Sequence, residues 1–343
     1  MGVFDFVKIF RVNKSISIDL GTANILIYDK QRKKIVLNEP SVVARDRKTG
    51  RLIAVGKEAR EMLGKTPESI QAIKPLQDGV IADIDSTKEM ITYFIHKIYG
   101  NSLFKPEVMI CVPIEVTSVE RKALFDAVKG AKKTYIIEEG RAAIIGSGVD
   151  ISQPEGSMVI DIGGGSTDIA ILSLDEIIAS KSIRIAGNRF DEDIVRYVKR
   201  KYNLLIGDRT AEKIKKELGS ALKVQSPEVM EIKGRDLETG IPNTVEVNAN
   251  EIYEAIEDSL FQIVNSTKEV LEKCPPELAA DILDNGIVMT GGGSLIRNFI
   301  DMMEKEVGIK VFLSPNPLDS VVLGGGAAFD NKKLLRTLQM KEN

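Results

Sequence analysis

Residues 160–171 read I-D-I-G-G-G-S-T-D-I-A-I, and residues 18–27 read I-D-L-G-T-A-N-I-L-I. In both, a β-rich run carries an Asp just before a glycine-bearing turn of small residues, and a second β-rich run follows. The pattern predicts a strand–turn–strand hairpin whose turn offers backbone N–H groups to an anion. The donors fall at Gly21, Thr22, Ala23 and Asn24 in the first copy and at Gly163, Gly164, Gly165, Ser166 and Thr167 in the second. Asp19 and Asp161 then stand beside that anion. A carboxylate tolerates a phosphate neighbour when a cation lies between them, and Mg²⁺ acting through its waters suits the role. Two copies of one device predict two related lobes gripping one nucleotide from both sides.

A third cluster extends the pattern. Residues 285–294 read N-G-I-V-M-T-G-G-G-S, followed by L-I-R-N-F-I-D-M-M-E-K-E. The reading is an apolar strand, then Gly291, Gly292 and Gly293, then an amphipathic helix opened by Ser294. Glycines there admit backbone close to a flat ligand such as adenine or ribose, and a helix N-terminus favours an anion. One such cluster is an ordinary turn. Three, two of them with an Asp at the same offset, point to nucleotide binding.

Composition narrows the alternatives. At 343 residues the chain suits two lobes better than one core. Its 43% hydrophobic and 28% charged content is that of a soluble globular protein. A net charge of −3 gives no reason to expect nucleic acid as partner. The two cysteines, Cys111 and Cys274, form no C-x-x-C, which argues against a disulfide framework or a zinc site, and Cys111 reads as a buried strand residue. The one histidine, His96, argues against a histidine triad. It lies off the apolar stripe Met90, Ile91, Phe94, Ile95, Ile98 of a helix expected at 86–99, and so reads as a surface residue. No run reaches the roughly 18 apolar residues of a membrane-spanning helix, and residues 1–12 lack the features of a signal peptide, so a cytoplasmic protein is expected. Gly64-Lys65-Thr66 has the tail of a P-loop, but Ala59 occupies the place of its first glycine.

Strand-like and helix-like runs alternate without a low-complexity linker, which predicts an α/β fold with packed lobes. Capping boxes are expected at Ser86 with Glu89 and at Thr117 with Glu120. A further helix is expected at 251–272, with Ile252, Ile256, Leu260, Ile263 and Val264 on one face and Pro275-Pro276 beyond its end.

These residues resemble the actin-like, Hsp70-like and sugar-kinase ATPase superfamily and, within it, the MreB family of bacterial actins. The resemblance covers nearly the whole chain. Its carriers are D-L-G-T-A-N (19–24), L-N-E-P-S-V-V-A (37–44), A-V-G-K-E-A (54–59), I-K-P-L-Q-D-G-V-I-A-D (73–83), I-C-V-P (110–113), D-I-G-G-G-S-T (161–167), K-Y-N-L-L-I-G-D-R-T-A-E (201–212) and M-T-G-G-G-S-L-I-R (289–297). It implies an actin-like ATPase fold: two duplicated RNase H-like core subdomains, each with a smaller inserted subdomain, and the nucleotide in the cleft between lobes. By motif position the first core subdomain takes 1–39, 82–148 and 325–343, with its insertion at 40–81. The second takes 149–188 and 259–324, with its insertion at 189–258.

The resemblance also implies a slow ATPase using ATP and Mg²⁺, with Asp19 and Asp161 facing the metal through water. Phosphoryl transfer to water needs alignment more than covalent help. In the family a Glu before Pro and a hydroxyl after the second glycine run hold the water, which carries over to Glu139 and Ser166. Here I-I-E-E-G-R (136–141) places Gly140 and Arg141 where Pro and an apolar residue are usual. Gly frees the backbone that Pro would pre-set, while Arg141 could reach the Glu139 carboxylate. Alternatively, Glu138 and Glu139 only favour a helix N-terminus through its dipole. Ser166 in place of Thr keeps the hydroxyl but loses the methyl that fixes its rotamer. Glu212 and Lys215, in G-D-R-T-A-E-K-I-K-K-E-L-G (207–219), carry over as adenosine contacts, against the plain reading of a solvated helix face.

Leu103 and Phe104 form an apolar pair in a turn framed by Gly100, Asn101 and Pro106. In the family a hydrophobic loop here dips into the membrane. Burying the pair would contribute roughly 1.5–3 kcal/mol each, so one monomer binds weakly and a filament binds by avidity. Val3, Phe6, Val7 and Phe10 offer a second apolar face, or a packed terminal strand. The partners implied are other copies of the chain in paired protofilaments, the inner face of the cytoplasmic membrane, and the wall-elongation machinery with its MreC-, MreD- and RodZ-type membrane proteins. The implied role is a cytoskeletal protein that sets cell shape. A chaperone ATPase module of the Hsp70 class would need a substrate-binding domain or docking linker. A small-molecule kinase would need a sugar pocket with a catalytic Asp, which the sequence does not identify.

Overall fold

The structure, a computed structural model, describes residues 14–100, 105–114, 116–128 and 130–339. Leu103, Phe104 and the N-terminal run at 1–13 therefore lie outside the described residues. The chain separates into two units, one comprising everything up to Glu138 and again from Val321, the other Glu139–Ser320.

The first unit is built on strands β1 (Ser15–Leu20), β2 (Asn24–Asp29) and β3 (Lys34–Pro40). A small antiparallel sheet of β4 (Val43–Asp46), β5 (Leu52–Val55) and, after helix α1 (Lys57–Met62), β6 (Ile70–Ile73) interrupts them. The short pair β7 (Leu76–Gln77) and β8 (Val80–Ile81) leads to α2 (Ile84–Tyr99), β9 (Glu107–Val112), α3 (Ser118–Ala127) and β10 (Lys133–Glu138). The five-stranded sheet has the order β10-β9-β1-β2-β3, antiparallel across β1–β2–β3 and parallel across β1–β9–β10. Its parallel strands are buried on both faces, which is why β9 reads as the unbroken apolar run V-M-I-C-V with Cys111 inside it.

In α2, Met90, Ile91 and Phe94 are fully buried against that sheet while His96 faces solvent, as the periodicity predicts. Helix α3 begins at the expected capping box of Thr117 and Glu120. The start of α2 corrects the sequence reading. Asp83 is the N-cap, Ser86 donates to it through both N and Oγ at 3.0 and 2.7 Å, and Glu89 pairs with Arg45 at 2.9 Å.

The second unit starts with α4 (Glu139–Gly146) and repeats the plan: β11 (Ser157–Ile162), β12 (Thr167–Ser173), β13 (Glu176–Ile183). Helix α5 (Gly187–Tyr202), β14 (Leu204–Leu205), α6 (Asp208–Leu218), β15 (Val229–Asp236) and β16 (Pro242–Asn248) follow. Next come α7 (Ala249–Glu272), α8 (Pro276–Asn285), β17 (Ile287–Thr290), α9 (Phe299–Val307) and β18 (Val311–Leu313). The sheet order β13-β12-β11-β17-β18 has the same mixture of directions as the first sheet. The duplication inferred from the two short hairpins therefore extends to whole sheets. The five apolar residues expected on the face of α7 are all fully buried. Its N-cap is Asn248, which forms a capping box with Glu251.

Helix α4 counts with the second unit, whereas the sequence reading kept 139–148 with the first. It packs on β11 and β12, which ties it there physically. The chain returns to the first unit through α10 (Ser320–Ala327) and ends its described part in α11 (Lys332–Leu338). Gly325 is obligatory in α10, because a Cβ there would lie 2.2 Å from Ser17 Oγ and 2.8 Å from Cys111 Sγ.

Candidate functional site

The turn between β1 and β2 is closed by its own glycine. A Cβ on Gly21 would lie 2.7 Å from the Asn24 carbonyl oxygen. Ser41, at the end of L-N-E-P-S, holds the turn from behind. Its Oγ donates to the Gly21 carbonyl at 2.6 Å and its N–H to the Ala23 carbonyl at 3.1 Å. A trans peptide is planar, so each C=O opposes the N–H of the next residue. Binding those two carbonyls turns the N–H groups of Thr22 and Asn24 away from Ser41. The Thr22 side chain is occupied separately, accepting from the Gly79 N–H at 3.2 Å. Asp19 is half-buried at the end of β1, opposite Leu26.

The turn between β11 and β12 uses the same arrangement with different backing. Gly163 N–H closes it on the Ser166 carbonyl at 2.9 Å. The first two residues of α5 donate to its carbonyls, Gly187 N–H to Gly163 at 3.1 Å and Asn188 N–H to Gly164 at 2.8 Å. By the same planarity, the N–H groups of Gly164 and Gly165 point away from α5. Asp161 and Ser166 are buried, and Thr167 is spent structurally, its hydroxyl donating to the Ile185 carbonyl at 2.6 Å.

The third glycine loop lies against Asp161. Gly291 has φ +80°, and a Cβ on it would fall 2.5 Å from Asp161 Oδ1 and 2.3 Å from the Ile162 carbonyl oxygen. Gly293 presses on Ile162 in the same way, at 2.3 Å from its Cγ2. The expected helix opened by Ser294 is corrected here. Gly292–Leu295 forms a short 3₁₀ turn, Ser294 donates its hydroxyl to the Gly291 carbonyl at 2.6 Å, and the helix starts only at Phe299 after Asn298 in the left-handed region. The anion-favouring helix end is thus not at the glycines. Gly291 N–H donates to the Pro317 carbonyl, and nearby burial pushes the Asp319 carboxyl above its ordinary value.

Glu139 is buried as the first residue of α4. Arg141 is also buried, and its guanidinium extends towards Glu176 at 3.7 Å. The two helix-face residues expected at adenosine diverge. Glu212 forms an i,i+4 pair with Lys216 at 2.7 Å. Lys215 reaches back to α5, donating to the Gly187 carbonyl at 2.7 Å and pairing with Asp191 at 2.9 Å.

Sequence reasoning did not single out Arg297. It holds the C-terminal end of α6 through the Leu218 and Gly219 carbonyls at 3.0 and 3.2 Å, and Glu228 on its far side. Its signal was its place at the end of M-T-G-G-G-S-L-I-R. Ser41, Gly79 and Gly187 were likewise passed over, although a glycine at the start of the helical run 187–202 marks a close approach.

The donor set suits a metal-bound phosphate. Each turn joins N–H groups turned away from its backing to one carboxylate, and at Gly21 and Gly291 the backbone packs so closely on Asn24 and on Asp161 and Ile162 that a Cβ has no room. Among the described residues no group of three or more His, Cys, Asp and Glu could cage a metal directly. Mg²⁺ binds well in such surroundings, since it retains several waters and takes one or two carboxylates beside phosphate oxygens.

A family profile described as MreB/Mbl protein matches residues 13–337. The chain is 49% identical over 321 residues to the cell shape-determining protein Mbl of Bacillus subtilis, covering 93% of this chain and 96% of that protein. It is 47% identical over 326 residues to the cell shape-determining protein MreB of Escherichia coli, covering 93% and 94%. The structure matches that of MreB 5 of Spiroplasma citri bound to AMPPNP with a TM-score of 0.89 at 39% identity, covering 94% of this chain and 98% of that one.

Proposed function

The chain belongs to the MreB/Mbl family and has its actin-like α/β fold, and from that premise we propose that it binds ATP with Mg²⁺, hydrolyses it slowly, and assembles into filaments on the inner face of the cytoplasmic membrane. There the filaments would organise wall elongation and cell shape, together with membrane proteins of the MreC, MreD and RodZ type. The observation that carries the nucleotide reading is the pair of turns whose carbonyls are bound from behind, by Ser41 in one and by α5 in the other. That leaves fixed N–H donors which need no reorganisation on meeting phosphate. A relative bound to AMPPNP and relatives named for cell shape support the same reading.

In this reading the two turns hold the phosphates, and the loop at Gly291–Gly293 admits the adenosine. Bound Mg²⁺ would neutralise charge developing on the phosphate oxygens. Glu139 and the Ser166 hydroxyl orient the attacking water. Arg141 holds the start of α4 through its side chain and takes the place of the stiffness a Pro at Gly140 would give. Membrane contact is assigned to Leu103 and Phe104.

The test is sedimentation and electron microscopy of the purified protein with ATP, ADP or no nucleotide, with and without anionic vesicles. ATP-dependent filaments are expected, on vesicles as well as in solution. Asp19→Ala and Asp161→Ala are each expected to weaken Mg-ATP binding by about tenfold, or about 1.4 kcal/mol. Unchanged affinity in either variant would remove the paired-turn reading, and nucleotide-independent assembly would remove the coupling.

A further inference from the structure

Four hydroxyls of the second unit meet in one chain of hydrogen bonds. Thr290, Ser314 and Ser320 are buried, and Ser147 is half-buried. Ser147 Oγ lies 2.9 Å from Ser314 Oγ, Ser314 Oγ 2.7 Å from Ser320 Oγ, and Ser320 Oγ 2.9 Å from Thr290 Oγ1. Backbone carbonyls join it at three points: Ala143 beside Ser147 at 2.8 Å, Asn316 beside Ser320 at 2.8 Å, and Pro317 beside Thr290 at 3.2 Å. Four hydroxyl protons thus serve six contacts, so each hydroxyl keeps another partner when one neighbour is lost.

The chain joins two parts of the site. Ser147 directly follows α4, whose first residue is Glu139. Thr290 ends β17, pairs with Asp161 on β11 and precedes Gly291. Between them runs the segment 314–320, which backs the glycine loop as Ser41 backs the first turn. Its Pro317 carbonyl accepts from Gly291 N–H at 2.9 Å, and Ser314 N–H donates to the Met289 carbonyl at 2.8 Å. Helix α4 is about 12 Å long and stiffened by its own backbone bonds, so a hold on Ser147 restrains Glu139 at the other end. Apolar side chains could fill the same space at little or no cost in stability. A satisfied polar chain instead specifies one arrangement of the elements it joins.

We propose that Ser147, Ser314, Ser320 and Thr290 are positioning residues for hydrolysis, locking the helix that carries Glu139 to the loop that admits the adenosine. A nucleotide seated on the loop is then in register with the carboxylate that orients the water. The proposal rests on the roles given above to Glu139 and to the glycine loop. Binding of ATP needs the loop and its Pro317 backing, and both survive a cut in the chain at Ser147 or Ser314. Alignment of the water needs the register between loop and helix, which such a cut releases. The chain therefore acts on turnover and leaves affinity alone.

Steady-state hydrolysis and calorimetric Mg-ATP titration of the full-length Ser147→Ala and Ser314→Ala proteins test this. Each is expected to lower kcat by about fivefold or more and to keep Mg-ATP affinity within about twofold. Ser147→Thr keeps the hydroxyl and its bond to the carbonyl four residues back, and is expected to retain most of the parent's kcat. The two alanine changes cut the same link, so the double variant is expected to lose no more than either alone. Unchanged turnover in both alanine variants overturns the proposal. So does a loss of affinity as large as the loss of turnover, a Ser147→Thr protein as slow as Ser147→Ala, or losses that multiply in the double variant. Should Ser314→Ala fail to fold, the two variants at half-buried Ser147 decide by themselves. Full turnover in Glu139→Ala overturns the water-orienting reading and the proposal with it, whereas an impaired Glu139→Ala beside fully active serine variants overturns the proposal alone.

Discussion

Gly291→Ala is the most demanding single change at the site. The backbone there has φ +80°, which costs an L-residue roughly 1–2 kcal/mol. The new Cβ would also stand 2.3 Å from the Ile162 carbonyl oxygen, 2.5 Å from the Ile162 carbonyl carbon and 2.5 Å from Asp161 Oδ1. Those atoms belong to β11, the middle strand of its sheet, which β12 and β17 hold on either side. The strand cannot retreat without breaking that pairing, so overpacking adds roughly 1–3 kcal/mol. Together the change is expected to destabilise the second unit by about 2–5 kcal/mol and to displace the Asp161 carboxylate. Gly292→Ala is the internal control. It meets only the Leu318 side chain, at 3.4 Å, and Leu318 is 62% exposed and able to move. Its cost is expected to stay within about 0.5 kcal/mol. Hydrogen exchange under increasing urea, read separately for peptides of 157–173 and 15–29, measures each unit by itself. Exchange is expected to accelerate in the former peptide and hold in the latter, with Mg-ATP affinity down by more than about tenfold. A Gly291→Ala protein as stable and as tight-binding as its parent, or a Gly292→Ala protein equally damaged, would refute the reasoning.

Glu139→Ala is expected to lower phosphate release while leaving ATP binding intact, since its assigned role is in the transition state, and Gly140→Pro to hold or raise the rate; full turnover in Glu139→Ala would move water alignment to another group. Leu103→Ser with Phe104→Ser is expected to abolish vesicle co-sedimentation and preserve filaments in solution, whereas a lower melting temperature with normal lipid binding would assign the pair to the core. The network between α5 and α7 sets a pH window. Burial and then the bond to Glu251 hold the Tyr202 hydroxyl up at about 12, and the hydrogen bonds that Lys201 donates to Glu251 and Tyr197 raise its own value. Glu251 is lowered despite burial by bonds from Lys201 and Tyr202. Its contribution is therefore present above its ordinary carboxylate range and lost as pH falls through its folded value, while those of Tyr202 and Lys201 are lost as pH rises beyond about 10. Glu251→Gln is expected to flatten both edges of the unfolding profile, and an unaltered profile would show the network to be energetically silent.

Local devices were legible where their partners lie close in the chain. The apolar face of α7 and the Thr117–Glu120 capping box follow from spacing alone, because helical neighbours are three or four residues apart. The start of α2 misled for the same reason. Ser86 and Glu89 have capping-box spacing, but Asp83 also reaches the free N–H groups, and Arg45, distant in sequence, takes Glu89. Ser294 looked like a helix start because it follows glycines and precedes an amphipathic run, yet close packing of Gly291 and Gly293 on Ile162 delays the helix to Phe299.

The sequence by itself determined the two hairpins, the positions of Asp19 and Asp161 relative to their turns, and the alternation of strands and helices that makes an α/β fold. Each follows from period, propensity and glycine content within a dozen residues. Only the tertiary structure decided what lies behind each turn: Ser41 for the first, the first residues of α5 for the second, and Lys215 from α6 behind those. These partners lie well outside the turns in sequence, Ser41 Oγ 20 residues from Gly21 and Lys215 28 residues from Gly187, and no local pattern encodes which hydroxyl, N–H or ammonium will arrive there. Their identity depends on how sheets and helices pack, and packing sets which polar groups must find one another once water is excluded.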